Sequence, residues 1–127
     1  MESSLEANKE AVKRFYDLVI NKKDFESARH YLGKGYTQHN PLAADGPEGL
    51  KAFIEFLKNN FPAARSEIKR IIAEGDFVVL HVHSLRPPNM RGRAIVEIFR
   101  MEEGKIREHW DVIQDIPETS LNQNGMF

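Results

Sequence analysis

The change of hydrophobic period at Pro62 constrains this chain more than any other feature. Before it, Val12, Phe15, Tyr16, Val19 and Ile20 recur at helical spacing among charged residues, which predicts an amphipathic helix over 5–21. Asp24 stands where an N-cap belongs, ahead of Phe25, Ala28, Tyr31 and Leu32, so a short second helix is expected to end at Gly33 or Gly35. Residues 41–46 read as irregular, and Asp45-Gly46-Pro47-Glu48 reads as a cap with proline in the first turn. Leu50, Phe53, Ile54, Phe56, Leu57 and Phe61 then form a third helix that Pro62 stops. After it, residues 66–74, 76–84, 93–102 and 105–115 are rich in Ile, Val and Phe, with breaks at Gly75, Pro87-Pro88-Asn89 and Gly104. These are four expected antiparallel strands. Their connections are too short for crossover helices, so the fold class is α+β, with the helices on one face of a curved sheet.

At 127 residues the chain is expected to be a single domain, 1–127, that buries roughly two-thirds of its unfolded surface. Its tail, 117–127, is polar apart from Leu121, Met126 and Phe127, and is either loose or docked by its last residues. Eighteen Lys and Arg against nineteen Asp and Glu leave no basic stripe, which sets aside nucleic acid and anionic membrane as partners. The absence of cysteine excludes disulfides, a thiolate nucleophile and a Cys-based zinc site. No apolar run has the length of a targeting segment or a membrane span, so a cytoplasmic location is expected.

Function is expected in the C-terminal third, where Glu97, His109 and Asp111 lie among large apolar side chains that make ionisable groups expensive. Strand alternation puts His109, Asp111 and Ile113 on one face and Glu108, Trp110 and Val112 on the other, while Glu97 shares a face with Phe99. Asp111 beside His109 suits proton transfer from a carbon acid; the alternative is a surface pair. His39 offers a second acid or base, or else a hydrogen-bonding partner for its own loop. Glu97 is either a protonated donor or the partner of a cation such as Arg93, Arg100 or His109. His81 and His83 share a strand face and could present two imidazoles to a metal, or be hydrogen-bonded in the pocket or at a dimer interface. No metal or other cofactor is expected. Phe15, Phe53, Phe56, Leu57 and Phe99 supply apolar mass, some of it to a cavity for a small apolar ligand with one or two polar contacts.

Three motifs occur in order: Tyr36-Thr37-Gln38-His39-Asn40-Pro41, Glu74-Gly75-Asp76, and Ile98-Phe99-Arg100 followed by the run from Gly104 to Asp111. On these, almost the whole chain resembles the SnoaL-like polyketide cyclases of the nuclear transport factor two superfamily. The resemblance implies a cone-shaped half-barrel with a mainly antiparallel sheet, a pocket between its concave face and three N-terminal helices, and a homodimer through the sheet. The face of Glu97 and Phe99 would turn inward. Those cyclases work without metal and use a last-strand aspartate as acid and base in an aldol ring closure, and that position falls on Asp111.

Ketosteroid isomerase is a more distant likeness. Its general base falls on Asn40, its tyrosine on Phe15 and its oxyanion aspartate on Glu97. An amide abstracts no proton and a phenyl ring donates no hydrogen bond, so ketosteroid isomerisation by that mechanism is not expected. The expected function is acid/base chemistry on a polyketide-like carbonyl compound. The alternatives are a non-catalytic binder of a small hydrophobic molecule, a dimeric adaptor, or a metal enzyme using His81 and His83. If those histidines face inward, Val78, Leu80 and Val82 form the convex dimer face.

Overall fold

The computed structural model describes residues 2–127. Helix α1 (Glu2–Tyr16) passes into a π-helical turn, Asp17–Asn21, in which the Lys22 amide donates to the Asp17 carbonyl at 2.9 Å. Its apolar stripe of Val12, Phe15, Tyr16 and Val19 is buried. Asp24 caps α2 (Phe25–Ala28) as expected, its carboxylate accepting from the Ser27 amide at 3.1 Å and hydroxyl at 2.7 Å. One 3-10 turn, Arg29–Tyr31, follows.

The chain then departs from the expectation of four antiparallel strands. Leu32–Gln38 is a strand, β1, that pairs in parallel with the last strand along the sheet edge. Gly33 and Gly35, expected as helix stops, lie inside it, and Gly35 at φ +67 takes a conformation that suits glycine. Helix α3 (Gly46–Asn60) ends just before Pro62, which disfavours helical geometry in the preceding residue. Asp45 precedes α3 but makes no side-chain cap; its carboxylate accepts from the Gln38 amide at 2.7 Å, tying the loop to the end of β1.

Strands β2 (Arg65–Glu74), β3 (Phe77–Arg86), β4 (Asn89–Glu102) and β5 (Lys105–Asp115) complete a five-stranded mixed sheet of order β1-β5-β4-β3-β2. Register shifts in the β2–β3 and β4–β5 ladders bend it, as bulges do. The protein is α+β, with its three helices on the concave face. Ile54 and Leu50 of α3 and the α1 stripe bury against Val78, Leu80, Val82, Ile95 and Phe99. Among the described residues no helix is long and apolar enough to cross a membrane.

The burial of Val78, Leu80 and Val82 decides the orientation of β3 that the sequence leaves open, so they belong to the core rather than a convex dimer face. His81 and His83 point the other way, away from the cavity, where the Phe127 ring packs against them at 5.2 and 4.7 Å. The tail is therefore docked by its last residue while Leu121 is fully exposed.

Candidate active site

Between the helices and the concave face lies a cavity of about 400 Å³. Phe15 of α1, Phe53, Phe56 and Leu57 of α3, and Phe99 and Ile113 of the sheet line it with apolar surface. Its polar groups gather where β1, β4 and β5 meet, because Gln38 pairs with His109 in the parallel ladder and Glu97 pairs with Asp111 in the antiparallel one.

Asp111 and His109 face inward, with side chains only 10% and 9% exposed. Asn40 Nδ2 reaches both Asp111 oxygens, at 3.0 and 2.9 Å, while Asn40 Oδ1 accepts from the Leu42 amide at 2.8 Å. That backbone donor fixes which way the amide points, so Asp111 is held as an acceptor on both oxygens. Burial pushes the Asp111 carboxyl above its ordinary value, opposed by the Asn40 hydrogen bond and reinforced by the negative charge of Glu97. The position aligned with the isomerase base thus holds an amide whose work is to orient another carboxylate.

His109 is bound at both nitrogens. Nδ1 lies 2.7 Å from Gln38 Oε1, and that oxygen also accepts from the Asn40 amide at 3.0 Å, so Nδ1 is the donor. Nε2 lies 2.7 Å from Glu97 Oε1, and Tyr16 Oη donates to Glu97 Oε2 at 2.7 Å. Hydrogen-bond accounting therefore places one proton between His109 and Glu97, as imidazolium with carboxylate or imidazole with carboxylic acid. The Asp111 Oδ2 oxygen is 4.0 Å from His109 Nε2. Burial beside Glu97 raises the Tyr16 phenol well above its ordinary range, so it remains a donor.

Of the expected site residues, Asp111, His109, Glu97 and Asn40 are brought together. His39 is not: its side chain lies on the outer face, stacked on Trp110 at 4.8 Å, with Nε2 2.5 Å from Glu108 Oε2. It immediately precedes Asn40, and extended backbone sends neighbours to opposite faces. His81 and His83 are likewise outside the cavity. His83 Nε2 contacts the Arg91 carbonyl at 3.1 Å, and His81 Nδ1 contacts the Arg70 guanidinium. Among the described residues, the group able to offer three metal ligands is Glu97, His109 and Asp111, with atoms within 4.8 Å of one another. A cation there would have to displace the proton between His109 and Glu97.

Tyr16, Gln38 and Tyr36 are site residues that sequence reasoning missed. The isomerase likeness puts the tyrosine's place on Phe15, but the phenol beside Glu97 belongs to the next residue. Tyr36, Gln38 and Asn40 would have declared themselves had 32–38 been read as a strand, since alternation puts them on one face.

Gly49 has a similar hidden role. A Cβ there would lie 1.9 Å from the Ala44 carbonyl oxygen, so α3 presses directly on the loop that carries Asn40.

The SnoaL-like domain model matches residues 12–109. No curated protein matches the chain. Similar solved structures include a candidate polyketide cyclase from Bacillus cereus, 22% identical over 84% of this chain and 74% of that one, with a TM-score of 0.73. Another is AclR from Streptomyces galilaeus, a candidate hydroxylase, 21% identical over 87% and 81% of the two chains, with a TM-score of 0.72. An uncharacterised cystatin-fold protein from Novosphingobium aromaticivorans is 20% identical over 83% of this chain and 97% of that one, with a TM-score of 0.71. At such identities these structures speak for the fold, whereas the domain match covers most of the sequence. This chain belongs to the SnoaL-like domain family.

Proposed function

We propose that the protein is a cyclase-type enzyme without a bound cofactor, acting by acid/base chemistry on a modest-sized, largely apolar carbonyl compound. One observation carries this reading: Asp111 faces an apolar cavity in a largely buried position, with Asn40 holding it as an acceptor and the His109–Glu97 pair beside it. A carboxylate raised toward neutrality by burial is a stronger base than one in water. Asp111 takes a proton from the carbon next to the carbonyl. The electron pair released forms a carbon–carbon bond to a second carbonyl carbon, whose oxygen becomes an alkoxide. Asp111 returns its proton to that oxygen, with His109 and Glu97 near enough to share the transfer, and the carboxylate is restored. His39 is left out of the chemistry.

Exchange of α-protons for deuterium in 2-tetralone, followed by proton NMR in heavy water, isolates the first step. The protein should accelerate exchange, and Asp111→Asn should cut the acceleration by about 10²–10⁴-fold, the usual worth of a positioned base. Equal exchange by the two proteins would leave a binding role for the cavity.

We further propose a homodimer through the outer sheet face, supported by exposed Val96 and Val112 near Trp110 and Phe77. Sedimentation at micromolar concentration should give twice 14.6 kDa; a 14.6 kDa species alone would overturn this.

A further inference from the structure

The cavity also holds two arginines that make no hydrogen bond to the acid/base cluster, although the charge of Arg93 is felt at Asp111. Arg86, at the end of β3, and Arg93, on β4, line both the main cavity and an adjoining one of about 190 Å³. Ser84, buried and turned inward, also lies between the two. Among the described residues neither guanidinium has a carboxylate within 4.0 Å or a side-chain hydrogen bond. Two other arginines of β4 are satisfied: Arg91 donates to the Ile116 carbonyl at 3.0 Å, and Arg100 to Glu108 at 2.8 Å. Arg86 is held against the Phe56 and Phe61 rings, 5.8 and 5.1 Å from their centroids, which fixes its plane at the rim. Burial and the like charge of Arg93 both push the Arg86 guanidinium pKa down, so the pair repels itself in a half-desolvated place. Two neighbouring cations with open donors beside an apolar chamber are stabilised by an anion that bridges them.

We propose that Arg86 and Arg93 form a carboxylate-binding subsite, so that the ligand is an apolar carbonyl compound carrying a carboxylate at the end remote from Asp111. This rests on the acid/base reading only for the carbonyl. Arg93 and Glu97 are four residues apart on the inner face of β4, with Ile95 between them, which separates the two polar ends by about 13 Å of backbone. A ligand of one or two fused rings spans that distance once the arginine and glutamate side chains reach inward. The planar fork of each guanidinium matches a carboxylate with paired hydrogen bonds, and a neutral ester forfeits both charge and geometry.

Calorimetric titration of the unmodified protein with 2-naphthoate and with methyl 2-naphthoate tests this at neutral pH and low salt. The acid should bind about tenfold or more tightly than its ester, and added salt should erode the preference. Arg86→Gln and Arg93→Gln, checked for folding by thermal melting, should each shrink the preference severalfold, while Asp111→Asn, which removes a negative charge from the same cavity, should not shrink it. Equal binding of acid and ester, or a preference that survives in both arginine variants, overturns the subsite. Should a variant fail to fold, the acid-to-ester comparison on the unmodified protein still decides. If neither compound binds, the apolar-cavity reading falls with the subsite. If the acid is preferred but 2-tetralone exchange is not accelerated, the subsite stands and the acid/base reading falls.

Discussion

Two histidine–glutamate pairs flank β5, one on each face of the sheet. Inside, His109 and Glu97 meet at 2.7 Å with side chains 9% and 7% exposed; outside, His39 and Glu108 meet at 2.5 Å with 40% and 19% exposed. The residue types and distances are nearly the same, but the surroundings differ. The inner pair is cut off from water and is completed by Tyr16 and Gln38, so its proton has few places to go and loss of one member strands the other. The outer pair can draw on solvent and on Arg100, which binds the second Glu108 oxygen at 2.8 Å. Burial therefore separates an enclosed pair beside the cavity from a surface pair that braces a loop.

Removing one partner from each pair should expose that contrast. Glu97→Ala, which leaves His109 and Tyr16 without their acceptor, should cost about 3–5 kcal/mol in urea unfolding, against about 1 kcal/mol or less for Glu108→Ala. Comparable losses would mean that the two faces are equally solvated. Glu97→Gln sharpens the point, because an amide can keep both contacts only if it stands in for a carboxylic acid. Stability close to that of the unmodified protein would assign the shared proton to Glu97.

Gly49→Ala strikes the scaffold of the inner cluster alone. The clash with Ala44 should cost about 1–3 kcal/mol and slow α-proton exchange by moving Asn40, while leaving the His39–Trp110 stack unchanged. Thermal melting and the exchange assay check the two effects. An unperturbed exchange rate would show that the loop's position does not matter to Asp111.

Acid titration of stability gives a smaller effect with opposite signs on the two faces. Hydrogen bonds from His39 and then Arg100 hold Glu108 below its ordinary 4.5, so its contribution is complete above that value and is lost as pH falls through the folded one. Burial holds Asp111 above its ordinary 3.8, so stability falls as pH rises from there through its higher folded value. The slopes partly cancel in the unmodified protein. Against the common rise from Asp24 and Glu67, Asp111→Asn should steepen the gain in stability with pH and Glu108→Gln should flatten it, each change within about 1 kcal/mol. Denaturant midpoints measured between pH 3 and 6 read both slopes; identical profiles in the two variants would remove the contrast.

The local pattern of the sequence determined the helices, the long hairpin strands and the common face of His109, Asp111 and Ile113, because burial periodicity and cap residues act over a few residues. Asp24 capped α2, Pro62 stopped α3, and alternation on β5 put His109, Asp111 and Ile113 on one face, which the tertiary structure turns to the cavity. Alternation gives two faces but does not say which is inside. His81 and His83 were therefore open to either reading until Val78, Leu80 and Val82 packed under α1. The glycine-interrupted segment Leu32–Gln38 has little intrinsic strand character, and its extended form depends on pairing with β5, more than 65 residues later in the chain at Gln38↔His109. Only that parallel edge brought Gln38 and Asn40 to His109 and Asp111 and sent His39 outside. Hydrophobic alternation is written locally, whereas the assembly of the inner polar cluster is a long-range event, settled by which strand edges meet and how much water they exclude.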